Sequence, residues 1–194
     1  RRCANIGACS LFMAAHNIST VAFEPNPQNQ VLLNNSIQAN PSFPIIMFPY
    51  GLGSEEGLYQ LFMEKRNSGN SVVGKAIHAD TISTGMVSIR RLDSFCERFT
   101  WTRILLKIDV QGFEEKLLRG SSSCLRSKIR AIKFEVASDW LFGQDSSPLN
   151  IFKLLTQHGF NITQDMEGKH LFSEAQFSQL RGVTDAYAWR LSPS

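Results

Sequence analysis

An α/β fold is what this sequence predicts, and three observations predict it. Apolar helical spacing and short β-favouring runs alternate over residues 6–48, as βαβ units require. Residues 104–110, Ile-Leu-Leu-Lys-Ile-Asp-Val, are apolar almost throughout, like a central parallel strand buried on both faces. A composition of 43% hydrophobic and 19% charged residues over 194 positions suits one ordinary globular core, so a single domain spanning 1–194 is expected.

The elements follow in order. Small and apolar residues from Ile6 to Asn17 predict a buried helix. Residues 20–23 form a short strand that Pro25 and Pro27 end, and residues 28–39 resume helical spacing with Val31, Leu32 and Ile37. A second strand covers 45–48, which favours parallel pairing through right-handed crossovers. Residues 51–86 are punctuated by glycines and read as hairpin and loop, with a β-leaning piece at 58–63 and a polar stretch at 65–70. A strand at 87–89 leads to Asp93, which starts a short helix. After the strand at 104–110, Gly112 makes a turn and 114–118 a short helix. A strand at 129–136, an amphipathic helix at 149–158, a strand at 159–164, a short helix at 173–180 and a terminal strand at 186–191 complete the chain.

Twenty basic and 17 acidic side chains leave a net charge of +3. That charge is dispersed in singles and pairs such as Lys65-Arg66 and Arg90-Arg91, so no nucleic acid or membrane surface is expected as a partner. Cys3, Cys9, Cys96 and Cys124 show neither zinc spacing nor a dense disulfide framework, and a reducing compartment is the plain inference. Sequons at Asn17, Asn34 and Asn161 leave the compartment open. No apolar run is long enough to cross a bilayer. Because the chain opens on Arg1, an incomplete product is expected, with room upstream for a targeting segment or anchor.

In open α/β sheets ligands collect beyond the carboxyl ends of the strands. Gly7 opens the first helix, whose free N–H groups favour an anionic group. Glu24 ends the next strand, where a carboxylate can accept hydrogen bonds from a ribose diol. Asp109 ends the central strand, with Glu114 and Glu135 following. Each has a plainer reading: Gly7 relieves crowding, Glu24 is a solvated turn acid, Asp109 forms a turn, and Glu114 sits on a helix surface. Their shared placement at strand ends favours one site. His16, His78, His158 and His170 lack metal-ligand spacing, and no metal is assigned.

These residues resemble the FkbM-type methyltransferases, which use S-adenosyl-L-methionine. The matching pieces are Ala4-Asn5-Ile6-Gly7, Phe23-Glu24-Pro25-Asn26-Pro27, Gly51-Leu52-Gly53, Leu92-Asp93, the run Leu106 to Glu114, Leu118-Arg119-Gly120 and Phe134-Glu135. They occur in family order over roughly residues 4–140. The resemblance implies a Rossmann-like methyltransferase sheet, mostly parallel with an antiparallel carboxy-terminal strand, helices on both faces, and a first strand largely missing here. It implies O-methylation of a hydroxyl on a small molecule such as a sugar. Carried over by position, Asn5 and Gly7 border the methionine part of the cofactor, Glu24 its ribose and Leu52 its adenine. Asn26 and Asp109 count as further cofactor contacts, and Asp109 and Glu114 are the catalytic candidates where donor and acceptor meet.

One departure stands out. Family members carry an apolar strand ending in Asp-X-Gly before the Ala-Asn-X-Gly turn, whereas this chain has Arg1-Arg2-Cys3. Those residues favour a rival reading, a non-catalytic module that keeps the fold. A nicotinamide-dependent oxidoreductase ranks lower, because Ala8 and Cys9 follow Gly7 where a three-glycine fingerprint is required.

Overall fold

Proline and asparagine chemistry sets the first turns of the chain in the computed structural model, which describes residues 4–64, 67–76 and 80–190. Arg1, Arg2, Cys3, Lys65, Arg66 and His78 lie outside the described residues. The chain divides into two compact units, one from Arg1–Leu52 and Glu56–Arg90, the other from Gly53–Glu55 and Arg91–Ser194.

The first unit begins with helix α1 (Ala8–Ala15), strand β1 (Thr20–Phe23), helix α2 (Pro27–Gln38) and strand β2 (Ile45–Phe48). β1 and β2 pair in parallel, Thr20 opposite Ile45 through Phe23 opposite Phe48, as their crossover helix demands. The stacked rings of Phe23 and Phe48 lie 5.4 Å apart across that pair. α2 starts where Asn26 caps it, its Oδ1 accepting from Gln28 N at 3.0 Å, with Pro27 in the first turn. α1 is not the buried helix expected. Only Ser10 and Ala14 are buried, one turn apart on one face, while Phe12 is 63% exposed.

The segment expected as hairpin and loop is a four-stranded sheet. Strands β3 (Gly51–Leu52), β4 (Gly57–Glu64), β5 (Asn67–Val73) and β6 (Thr81–Arg90) lie in the order β3-β6-β4-β5. β4 pairs antiparallel with both β5 and β6, and β3 runs parallel to β6. Alternation places Leu61 with Met63 and Val87 with Ile89 in the core, and the consecutive Val72 and Val73 are both buried, which ties this glycine-punctuated stretch down. The polar residues at 67–70 therefore belong to a strand.

The second unit comprises α3 (Asp93–Cys96), β7 (Ile104–Ile108), α4 (Glu114–Arg119), α5 (Ser122–Ser127), β8 (Ile129–Ala137), α6 (Ser138–Gly143), α7 (Pro148–Gln157), β9 (Asn161–Thr163), α8 (Glu174–Ser178) and β10 (Val183–Trp189). Its sheet runs β7-β8-β10-β9. β7 and β8 are parallel, and the carboxy-terminal β10 lies antiparallel to both β8 and β9. The sheets are thus mixed, not mostly parallel, because the hairpins of the middle segment and β10 add antiparallel pairs. β7 stands at one end of its sheet, and its apolar run is not buried on both faces: Ile108 is buried while Leu105 is 59% exposed. The core of this unit gathers Phe134, Phe160, Phe177, Leu118, Leu125, Ile129, Ile132 and Leu141, all under 2% exposed.

The cysteines correct another expectation. Cys96 and Cys124 form a disulfide with Cα atoms 5.8 Å apart, joining α3 to α5 across a sequence separation of 28. A single bridge of that length has no spacing signature. The cysteines therefore no longer argue for a reducing compartment. No described helix is long and apolar enough to cross a membrane.

Candidate functional site

Glu24 organises the first unit's candidate residues. The carboxylate sits at the end of β1 and is 2% exposed, so it is not a solvated turn acid. Its Oε2 accepts from Asn5 N at 2.7 Å, and its Oε1 from Asn26 N at 2.9 Å and Asn29 Nδ2 at 3.5 Å. One side chain thereby joins the Ala-Asn-Ile-Gly turn to the Phe-Glu-Pro-Asn-Pro turn. Burial pushes the Glu24 carboxyl above its usual range, and the amides of Asn26 and Asn5 pull it back.

The turn before α1 has the backbone its residues permit. Asn5 is left-handed at φ 48°, and Gly7 at φ 94°. A Cβ on Gly7 would lie 2.4 Å from Leu33 Cδ1, the end of a side chain that can shift, so the left-handed backbone is the stronger reason for glycine here. Gly7, the N-cap of α1, has no side chain with which to cap the helix's first amides. Asn26, 1% exposed, caps α2 through Oδ1 and donates from Nδ2 to Ser71 Oγ at 2.9 Å. Leu52, 7% exposed, follows Gly51, where a Cβ would lie 3.3 Å from Pro25 Cβ. Asn5, Gly7, Glu24 and Asn26 are brought together, with Gly51 packed beside Pro25. Sequence reasoning missed Asn29 and Gln30. Gln30 Nε2 donates to the carbonyls of Glu24 at 2.8 Å and Pro25 at 3.2 Å. Their place in the first turn of a capped helix is the signal that points to them.

The second unit gathers Asp109 and Glu114 at the carboxyl end of β7. Gln111 at φ 53° and Gly112 at φ 91° turn the chain there, and a Cβ on Gly112 would meet the Trp140 carbonyl oxygen at 2.5 Å. Asp109, 4% exposed, pairs with Lys107 Nζ at 3.2 Å and accepts from Gln111 Nε2 at 3.0 Å. Glu114 is 1% exposed and so is no surface helix residue. Its Oε1 accepts from Val110 N at 3.1 Å, and its Oε2 is buried with no hydrogen-bond partner. Burial, reinforced by the Asp109 charge, pushes Glu114 up to about 7. Its neighbour Glu115 is also pushed up by burial, but hydrogen bonds from Ser146, Arg119 and Asn150 bring it below its usual value.

Glu114 makes stability depend on pH. A carboxyl at about 7 in the folded chain and 4.5 in the unfolded one binds an extra proton between those values. Its contribution is complete below pH 4.5 and lost as pH rises through about 7, at a cost on the order of 3 kcal/mol. Glu114→Gln, which keeps the acceptor for Val110 N, is expected to flatten urea-denaturation stability between pH 5 and 8 and to exceed the parent at pH 8. Parallel pH profiles for the two proteins refute this.

Among the described residues, no group of three or more His, Cys, Asp or Glu is arranged to hold a metal ion.

The model of the methyltransferase FkbM domain matches residues 3–162. The crystal structure of methyltransferase FkbM from Methylobacillus flagellatus KT superposes with a TM-score of 0.57 at 13% identity. That match covers 97% of this chain and 42% of the crystal chain, so this chain spans less than half of that protein's length. Precorrin-6y C5,15-methyltransferase from Geobacter metallireducens GS-15 aligns with a TM-score of 0.49 and 14% identity, covering 98% of this chain and 77% of that one. No curated protein sequence matches.

Proposed function

The chain belongs to the FkbM methyltransferase family, and from that premise we propose that it uses S-adenosyl-L-methionine to methylate a hydroxyl on a sugar or other small metabolite. The observation that carries the reading is the Glu24 carboxylate, held at a strand end by the amides of Asn5 and Asn26. A carboxylate fixed in this way keeps acceptor capacity for ribose hydroxyls. The first amides of α1, which follow a glycine N-cap, suit the carboxylate of an amino acid moiety. Both features fit the cofactor's groups, and Asn5, Gly7, Glu24, Asn26 and Leu52 are assigned to hold it.

Bound there, the cofactor supplies an activated methyl group on a sulfonium. The protein's work is to orient an alcohol and accept its proton. Asp109 is assigned that role first, with a further contact to the cofactor, and Glu114 second. Lys107 and Gln111 fix the Asp109 carboxylate in place, which supports its use as a positioned acceptor of a hydroxyl hydrogen bond.

Calorimetry on the full-length protein tests the reading. The expected result is binding of S-adenosyl-L-methionine and of its demethylated product, weakened about 10- to 100-fold in Glu24→Gln through loss of charge-assisted hydrogen bonds. A protein that binds neither compound is not this enzyme, and the non-catalytic module would then be the better account.

A further inference from the structure

One face of the second unit's sheet is graded by chemistry. Register places Leu105, Ala131 and Trp189 in one row across β7, β8 and β10, and Lys107, Lys133 and Tyr187 in the next. Two residues further along, on the same face, Asp185 lies opposite Glu135, and Asp109 follows Ile108, which pairs with Phe134. The cations of the middle row are engaged by the acids. Lys107 pairs with Asp109 at 3.2 Å, and Lys133 with Asp185 at 3.0 Å. Glu135 has no lysine of its own in that row. Gln111, whose carboxamide holds Asp109, and the Lys107 charge are what favour its ionised form. The buried Glu114 Oε2 lacks a hydrogen-bond partner, and burial and the Asp109 charge both raise its carboxyl.

Resting on the methyltransferase reading, we propose that Glu135 is an acceptor-binding residue, its carboxylate receiving the hydroxyl next to the one that Asp109 addresses, so that the acceptor is a neutral compound with vicinal hydroxyls. Adjacent strands lie about 4.8 Å apart, a spacing at which two carboxylates each reach one hydroxyl of such a pair. Two of the three acids are balanced by their lysines, and the one net negative charge that remains, on Glu135, disfavours an acceptor bearing a carboxylate or phosphate. The half-buried Glu135 carboxyl is raised by burial and by the charges of Asp109 and Asp185, against Gln111 and Lys107, which lower it. Tyr187 and Lys133 complete the surrounding polar groups. A hydroxyl donating to Glu135 would relieve that crowding of like charge.

The test uses the full-length protein, with methyl α-glucopyranoside as the neutral probe and its uronate counterpart as the anionic one. Glycoside binding is followed by protein NMR without cofactor, and methyl transfer by release of the demethylated product. The glycoside is expected to bind. Glu135→Gln should weaken that binding and raise KM about tenfold or more, with calorimetric cofactor affinity unchanged. The same variant, freed of one like charge, should melt no lower than the parent. Wild-type preference for the glycoside over the uronate should shrink in the variant. Absent glycoside binding, an unaltered affinity in Glu135→Gln, or equal use of the uronate by the wild type overturns the assignment. Failure of the parent to bind S-adenosyl-L-methionine overturns instead the reading beneath it, since glycoside binding is measured without cofactor.

Discussion

Gly120→Ala is expected to cost roughly 4 kcal/mol, a large fraction of the stability of an ordinary domain. Gly120 has an ordinary backbone, φ −77°. What it lacks is room: a Cβ built there would lie 1.9 Å from the Gly53 carbonyl oxygen and 2.8 Å from its carbon, both backbone atoms that cannot rotate away. Overpacking of this kind typically costs ~1–3 kcal/mol where side chains can yield, and more where they cannot. The Gly120 carbonyl also accepts from Asp93 N at 3.1 Å, a bond of about 1 kcal/mol that a shifted backbone would lose. Gly159 is the control. It is left-handed at φ 78°, and a methyl group there would have nothing within 4 Å, so Gly159→Ala carries backbone strain alone, about 1–2 kcal/mol. Denaturant midpoints of the two variants decide the matter. Equal losses would mean that the Gly53 carbonyl is not the obstacle.

That contact also explains how the motifs were legible and where their meaning was not. Gly51-Leu52-Gly53, Leu92-Asp93 and Leu118-Arg119-Gly120 stand out in the sequence as separate strings, yet Gly53, Asp93 and Gly120 meet in the second unit as one packing junction. Their spacing in the chain gives no hint of this, because the contact is between backbones. The β1-α2-β2 unit was readable because its signals are local: a β-favouring run, a proline stop, an asparagine cap and helical spacing. The sheet of residues 51–90 was not. Its glycines mimic loop punctuation, whereas long-range pairing of β4 with β6 decides its form. Glu24 was placed correctly at a strand end, but its burial follows from two amides that only the fold brings to it. The alternative reading of Glu114 as a surface helix residue fails for the same reason: its burial depends on neighbours distant in sequence.

The disulfide is the second feature that sequence left dark, and its removal is expected to cost about 3–4 kcal/mol. Closing a loop with a sequence separation of 28 restrains the unfolded chain by that amount in the loop-entropy account. The junction it spans is fixed a second time. Asp93 Oδ1 accepts from Ser123 N at 2.9 Å and Cys124 N at 3.0 Å, supplying from α3 the acceptor that Ser121, the cap of α5, does not provide with its own side chain. Lys128, just past α5, donates at 2.6 Å to the Cys96 carbonyl that ends α3. Because three attachments share one pair of helices, their energies should couple. Cys124→Ala and Asp93→Ala together are expected to differ from the sum of the single losses by at least ~0.5 kcal/mol. Treating the parent with dithiothreitol should reproduce most of the Cys124→Ala loss, while Cys9→Ser, at an exposed free thiol, should leave the melting temperature unchanged. If reductant leaves the parent's stability intact while both cysteines are shown to be reduced, the bridge contributes nothing beyond what Asp93 and Lys128 already hold.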